Sequence, residues 1–113
     1  MPVLSVDDLP AALDFYQRVL GFQIGWTWGE PTYLASVCRD HVELNVGQRG
    51  KVGPPGIGKA YIQMKGIDAY YEQVRQAGAT IHVPLAARAY GMKDFNVRDP
   101  GGNELSFGEA TVG

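Results

Sequence analysis

The chain has 113 residues, ten Lys plus Arg against twelve Asp plus Glu, and a formal net charge of −2. This length suits one domain with a real core, and 45% hydrophobic against 19% charged residues argues against disorder. The absence of a basic excess argues against a phosphate-tracking nucleic-acid binder, and no apolar run approaches the roughly 18 residues of a membrane span.

The opening MPVLSVDDLP lacks the basic-then-apolar order of a secretory signal, so the reading is a cytoplasmic protein with no membrane or nucleic-acid partner. Residues 2–6 suit a strand. Asp7 or Asp8 then caps a helix whose first turn holds Pro10, where a missing N–H costs nothing. Leu9, Leu13, Tyr16 and Leu20 form its apolar stripe, and Gly21 stops it. Strand-like runs follow at 22–28, 32–38 and 42–46, with turns at Gly29-Glu30-Pro31 and Arg39-Asp40-His41. The lone Cys38 cannot form an internal disulfide, which suits a reducing compartment, and its apolar run reads as a small buried side chain.

Residues 47–58, GQRGKVGPPGIG, read as a hinge or flap. Its GPPG at 53–56 lacks the Lys and Ser/Thr of a phosphate-binding loop. The plan then repeats: a strand at 59–65, a helical stripe of Ile67, Tyr70, Tyr71 and Val74 stopped by Gly78, and strands at 79–83, 93–98 and 104–107. VLGFQI at 19–24 and QAGATI at 76–81 carry Gly at the same helix-to-strand junction. Residues 1–113 are thus expected to form a single domain of two halves, about 1–46 and 59–109, and an internal duplication explains why Gly and Pro make up about a fifth of the chain.

Strand alternation assigns the faces. Val42, Leu44, Val46, Leu105 and Phe107 should meet the helices, leaving Glu43, Asn45, Glu104 and Ser106 opposite. Two helices cover one side of an eight-strand sheet, so the free side should form a polar and aromatic trough.

Residues 6–22, VDDLPAALDFYQRVLGF, resemble the opening helix of the vicinal oxygen chelate superfamily, which includes glyoxalase I, ring-cleaving dioxygenases and bleomycin-binding resistance proteins. Residues 90–109, YGMKDFNVRDPGGNELSFGE, resemble its C-terminal DPxGN turn, at the expected spacing. The resemblance implies an α+β fold: two β-α-β-β-β repeats in an eight-strand curved mixed sheet with helices on the convex side. It also implies where metal ligands would stand. Those positions hold Met1, Glu43, Lys59, Ala60 or Tyr61, and Ser106, of which only Glu43 is a plausible ligand. Glu104 shares a face with Ser106 but lies two residues off, and His41 and His82 match no ligand position. No metal or other cofactor is therefore expected.

The chain looks closest to the metal-free, bleomycin-resistance-like branch, whose members are dimers that hold a cationic, partly aromatic ligand in clefts between subunits. The expectation is a homodimer sequestering a small organic molecule, with Trp28, Tyr33, Glu43, Tyr61, Tyr90, Glu104 and Ser106 binding it and no catalytic residue assigned. A lyase or dioxygenase with an unusual metal set around Glu43 is the alternative. Trp26 and Trp28 are in phase with Ile24, so packing under a helix competes with ligand contact for both. Arg98-Asp99-Pro100-Gly101-Gly102-Asn103 reads first as a hairpin turn rather than a catalytic element.

Overall fold

A computed structural model of the chain describes residues 3–51 and 58–111. Met1, Pro2 and residues 52–57, including the GPPG of the expected hinge, lie outside the described residues. The order is β1 (Val3–Val6), α1 (Leu9–Asp14) running on as a π-helical turn (Phe15–Val19), β2 (Gln23–Trp28), β3 (Leu34–Arg39) and β4 (Val42–Gln48), then β5 (Lys59–Gln63), α2 (Ile67–Gln76), β6 (Thr80–Ala87), β7 (Met92–Arg98) and β8 (Glu104–Ala110).

Each expected element is present, and the differences lie at the ends. β4 takes Gly47 and Gln48 from the expected hinge, because Gly47 pairs with Leu34 and Gln48 with Val6. β3 starts at Leu34 rather than 32, since Tyr33 still belongs to the preceding turn. β6 runs on to Ala87 and tolerates Pro84 because it is an edge strand with two register shifts. Of the two candidate caps, Asp8 is the one used: its backbone is extended and its Oδ1 accepts the Ala11 N–H at 3.1 Å.

The strands form two four-stranded sheets, β1-β4-β3-β2 and β5-β8-β7-β6, and no strand pairing among the described residues joins them. Each is mixed, with β1 parallel to β4 and β5 parallel to β8, and the other neighbours antiparallel. The two units correspond at the level of single residues. Gln48 Oε1 accepts the N–H of Leu9 at the start of α1, and Glu109 Oε1 accepts that of Ile67 at the start of α2, both at 3.1 Å. Gly21 and Gly78 end the helical segments with φ of 75° and 96°, a region that only Gly enters without strain.

Both units feed one core. Val6, Leu9, Tyr16, Leu20, Val37 and Val46 cluster with Ile62, Ile67, Tyr70, Val74, Phe95 and Phe107. The Tyr70 ring meets Phe107 edge-on at 5.1 Å, and its hydroxyl donates to Leu20 O across the units at 2.6 Å.

The turn between β7 and β8 fastens the units. Asp99 accepts the Tyr16 hydroxyl at 2.8 Å and, within its own turn, the N–H groups of Gly101 and Asn103. Burial, and then the Asp99 carboxylate, push the Tyr16 phenol well above its ordinary pKa. Asn103, wholly buried, donates to Ser5 O at 2.9 Å and to Asp99 Oδ2 at 2.9 Å, and accepts from Gly58 N at 2.7 Å. A Cβ at Gly101 would fall 2.9 Å from Ser5 O, so the turn and β1 meet backbone to backbone. The segment forms the hairpin turn expected of it.

Asn103→Ala deletes three hydrogen bonds at once, two of them buried, and should cost about 2–4 kcal/mol in urea unfolding. Arg18→Ala, which removes only an exposed ion pair to Asp14, should stay within about 0.5 kcal/mol. Equal midpoints for the two variants would show that the turn does not fasten the units.

Candidate functional site

The faces turned away from the core carry the polar residues, as the alternation requires. On the first sheet Ala35, Val37 and Val46 are buried in the core side, so Ser36, Cys38, Glu43 and Asn45 share the outer face. Ser36 Oγ donates to Glu43 Oε2 at 2.6 Å, and Cys38 Sγ lies 3.8 Å from the same oxygen. Among the described residues Glu43 has no cationic partner and is exposed.

A register shift between Ile24 and Thr27 decides the tryptophans. Ile24 pairs with core-facing Val37, and an unbroken strand would place Trp26 and Trp28 on that side. The bulge instead sets Trp28 opposite Leu34, on the outer face, where it is 63% exposed; Trp26 is exposed as well. Neither packs under a helix.

The second sheet carries a denser constellation. Asp94 is only 6% exposed, and its Oδ2 accepts the Tyr61 hydroxyl at 2.8 Å and the Tyr90 hydroxyl. Its Oδ1 accepts Arg88 Nε at 2.9 Å, and Arg88 Nη2 also donates to Pro84 O and Asp94 O. Burial raises the carboxyl pKa of Asp94, but hydrogen bonds from Tyr90, Arg88 and Tyr61 together outweigh it and leave the group below its ordinary value. Desolvation first, then the hydrogen bond to Asp94, pushes the Tyr61 phenol up to about 12. The next ring of residues is Asn96, whose Nδ2 donates to Ser106 Oγ at 3.0 Å, and Glu104, which meets Arg98 at 3.3 Å and Lys59 at 3.7 Å. His82 lies beside Arg98 at 3.1 Å, an exposed strand residue as expected.

Among the sequence candidates, the structure brings Tyr61, Tyr90, Glu104 and Ser106 onto the outer side of the second sheet, while Glu43 and Trp28 stand on the first. Tyr33 occupies the turn before β3, its ring against Gly29, where a Cβ would come within 2.3 Å. Sequence reasoning missed Asp94, Arg88 and Asn96. The alternation of KDFNVR could have found two of them, because Phe95 and Val97 face the core and put Asp94 and Asn96 opposite. Asn45 Oδ1 and Asn96 Oδ1 are buried acceptors without a protein partner, one on each outer face.

The residues do not fit a divalent metal. Of the positions implied for ligands, Met1 lies outside the described residues, and the others hold one carboxylate (Glu43), an ammonium (Lys59), a methyl (Ala60), a phenol committed to Asp94 (Tyr61) and an alcohol committed to Asn96 (Ser106). Among the described residues no three His, Cys, Asp or Glu side chains converge. A cavity of about 620 Å³ lies elsewhere, between the β3–β4 turn and β5, with Phe22, Arg39, His41, Ile62 and Lys65 in its walls. None of the candidate residues lines it.

Residues 1–107 match the family model described as the Glyoxalase/Bleomycin resistance protein/Dioxygenase superfamily. No curated protein matches the sequence. Among solved structures, TioX from Micromonospora sp. ML1 superposes with a TM-score of 0.84 at 22% identity, over 96% of this chain and 94% of its own. A lactoylglutathione lyase from Agrobacterium tumefaciens gives 0.78 at 21% identity, over 97% and 91%. A glyoxalase/bleomycin resistance protein/dioxygenase from Nocardioides gives 0.74 at 20%, over 98% and 82%. At these identities the structural likeness establishes the fold and no more.

The lowered pKa of Asp94 has a sign that can be tested. A carboxyl that binds its proton less readily when folded adds stability above its unfolded pKa of about 3.9, and that stability is lost as pH falls through the lower folded value. Urea midpoints of the native chain should therefore fall more steeply than those of Asp94→Asn between about pH 5 and pH 2. Parallel curves would show that the carboxylate's partners do not stabilise the fold.

Proposed function

The chain belongs to the Glyoxalase/Bleomycin resistance protein/Dioxygenase superfamily, and we propose that within it the chain is a metal-independent binding protein for a small organic molecule that combines an aromatic ring with a positive charge. One observation carries this reading: Trp26, Trp28, Tyr61 and Tyr90 are all exposed, with Trp28, Tyr61 and Tyr90 on the outer side of the sheets and the two tyrosines bonded to the Asp94 carboxylate. Soluble proteins rarely leave such side chains uncovered, and rings of this size supply stacking surface to a guest.

Charge narrows the guest. Asp94 is neutralised by Arg88 and Glu104 by Arg98 and Lys59, while Glu43 on the outer face of the first sheet has no cationic partner among the described residues and can receive a cation. Trp28 shares that face but pairs with Leu34, four residues along β3 from Glu43's partner Cys38, so it offers a separate stacking surface rather than a second contact for the same charge. Bleomycin-like antibiotics have this combination, and sequestration in the cytoplasm is the role the reading implies. The uncovered outer faces support a homodimer with the guest held between copies. A lyase or dioxygenase built on a metal at Glu43 finds Cys38 beside it but no third His, Cys, Asp or Glu ligand among the described residues.

Titration of the two tryptophans' fluorescence with bleomycin should give a saturable change at micromolar ligand, and Glu43→Gln should raise the Kd about tenfold or more. No change up to millimolar ligand, or one tightly held divalent ion per chain by elemental analysis, would overturn the reading. Sedimentation equilibrium should return twice the chain mass of 12.3 kDa, and a monomer throughout the micromolar range would remove the cleft between copies.

A further inference from the structure

The Asp94 cluster has a construction that simple charge burial does not require. A buried carboxylate beside Arg88 is already neutralised, and Arg88 Nη2 reaches two backbone carbonyls that hold it in place. Two phenols nevertheless converge on the remaining oxygen, Oδ2, and both belong to rings that stay largely outside: Tyr61 is 48% and Tyr90 66% exposed. Burying a ring is the usual reason to fix a tyrosine. Here the hydroxyls are fixed while the rings remain uncovered.

The sheet is also shaped for this arrangement. Tyr61 on β5 reaches Asp94 on β7 only by passing over β8, and the residue it passes over is Gly108, the register partner of Asp94. A Cβ on Gly108 would stand 2.3 Å from the Tyr61 hydroxyl and 3.0 Å from its Cζ, with backbone φ imposing no need for Gly there. The same Cβ would also stand 3.1 Å from Asp94 Cβ, so the Gly is required by the ring and its anchor rather than by the backbone conformation. The ring therefore lies along the sheet surface and is tied down at its far end. Tyr90 comes from the β6–β7 turn to the same oxygen, so the two rings meet at their hydroxyls and diverge toward their own backbones.

We propose that Asp94 is a positioning residue: through one carboxylate oxygen it fixes the rings of Tyr61 and Tyr90 as a rigid stacking platform for the planar aromatic part of the guest. This rests on the reading of the chain as a small-molecule-binding protein, and it names which part of the guest each sheet receives. The Asp94–Arg88 pair makes the platform locally neutral, so it selects flat, uncharged ring systems, while the cationic part goes to Glu43. Pre-fixed rings lose little conformational freedom when a guest stacks on them, and that is what a tied hydroxyl contributes.

The test uses bleomycin, whose planar bithiazole serves as the stacking group, against the full chain by titration calorimetry. Asp94→Asn and Gly108→Ala should each raise the Kd about tenfold, the first by loosening both hydroxyls and the second by lifting Tyr61 off the sheet and crowding Asp94 Cβ while leaving the carboxylate's charge in place. Tyr61→Phe and Asp94→Asn should be non-additive when combined, because both break the same tie. Ultraviolet titration, read only over the pH range where circular dichroism shows both proteins folded, should show the Tyr61 phenol ionising at lower pH in Asp94→Asn than in the native chain. If the native chain binds and both Asp94→Asn and Gly108→Ala bind within twofold of it, the platform is wrong and the binding reading stands. If the native chain itself does not bind bleomycin, the binding reading fails and the platform with it.

Discussion

The buried hydrogen bonds around Asp99 and Asn103 are the constraint on which the rest of the molecule depends. No strand pairing joins the two sheets among the described residues, so nothing in the sheet ladders sets one unit against the other. Apolar packing between the units is non-directional and would accept several arrangements. The Asn103 amide admits far fewer, since it needs the carbonyl of Ser5 on one side and the N–H of Gly58 on the other, while the Tyr16 hydroxyl needs the carboxylate of Asp99. Unmade, each of these bonds would leave a buried polar group without water, and that cost gives the turn its hold. The DPGGN segment thus does two jobs: Asp99 shapes the hairpin, and the same side chains lock β1 and α1 onto it.

With the core faces locked together, the outer faces were free to diverge, and register shows how. Ser36 pairs with Asn45 at the centre of the first sheet, and Asn96 with Ser106 at the matching place in the second. Around these near-identical centres the surroundings differ. Val3 lies beside Asn45 where Tyr61 lies beside Ser106; Cys38 opposes Glu43 where Arg98 opposes Glu104; Leu34 opposes Gly47 where Asp94 opposes Gly108. At matching backbone positions a lone Glu43 with a thiol and an alcohol thus answers a Glu104 neutralised by Arg98, and Leu34 answers the Asp94 that gathers two phenols.

The fold was legible because its signals are local. Helical stripes such as Leu9, Leu13, Tyr16 and Leu20, the Gly stops at 21 and 78, and strand alternation in VELNV and ELSF each act within a few residues. The site was only half legible, for reasons that are equally physical. A bulge has no signature in a run like QIGWTW, yet it alone turns Trp28 outward. Asp94 reads as an ordinary exposed charge until β5, β7 and the β6–β7 turn bring two tyrosines and an arginine to it. Nor can a sequence show that Gly108 serves the ring of a residue forty-seven positions earlier.

The division of chemistry between the faces bears on how a guest would be held. Glu43 and the Asp94 cluster stand on separate sheets, each on the side turned away from the shared core. A guest needing both a cation contact and a stacking surface gains little from a chain that points these groups apart. Two copies in an antiparallel arrangement would set the first sheet of one against the second sheet of the other, and would do so twice by symmetry. Each cleft would then hold one lone carboxylate and one neutral tyrosine platform. The proposed homodimer is on this argument not an addition to the binding site but the condition for having one.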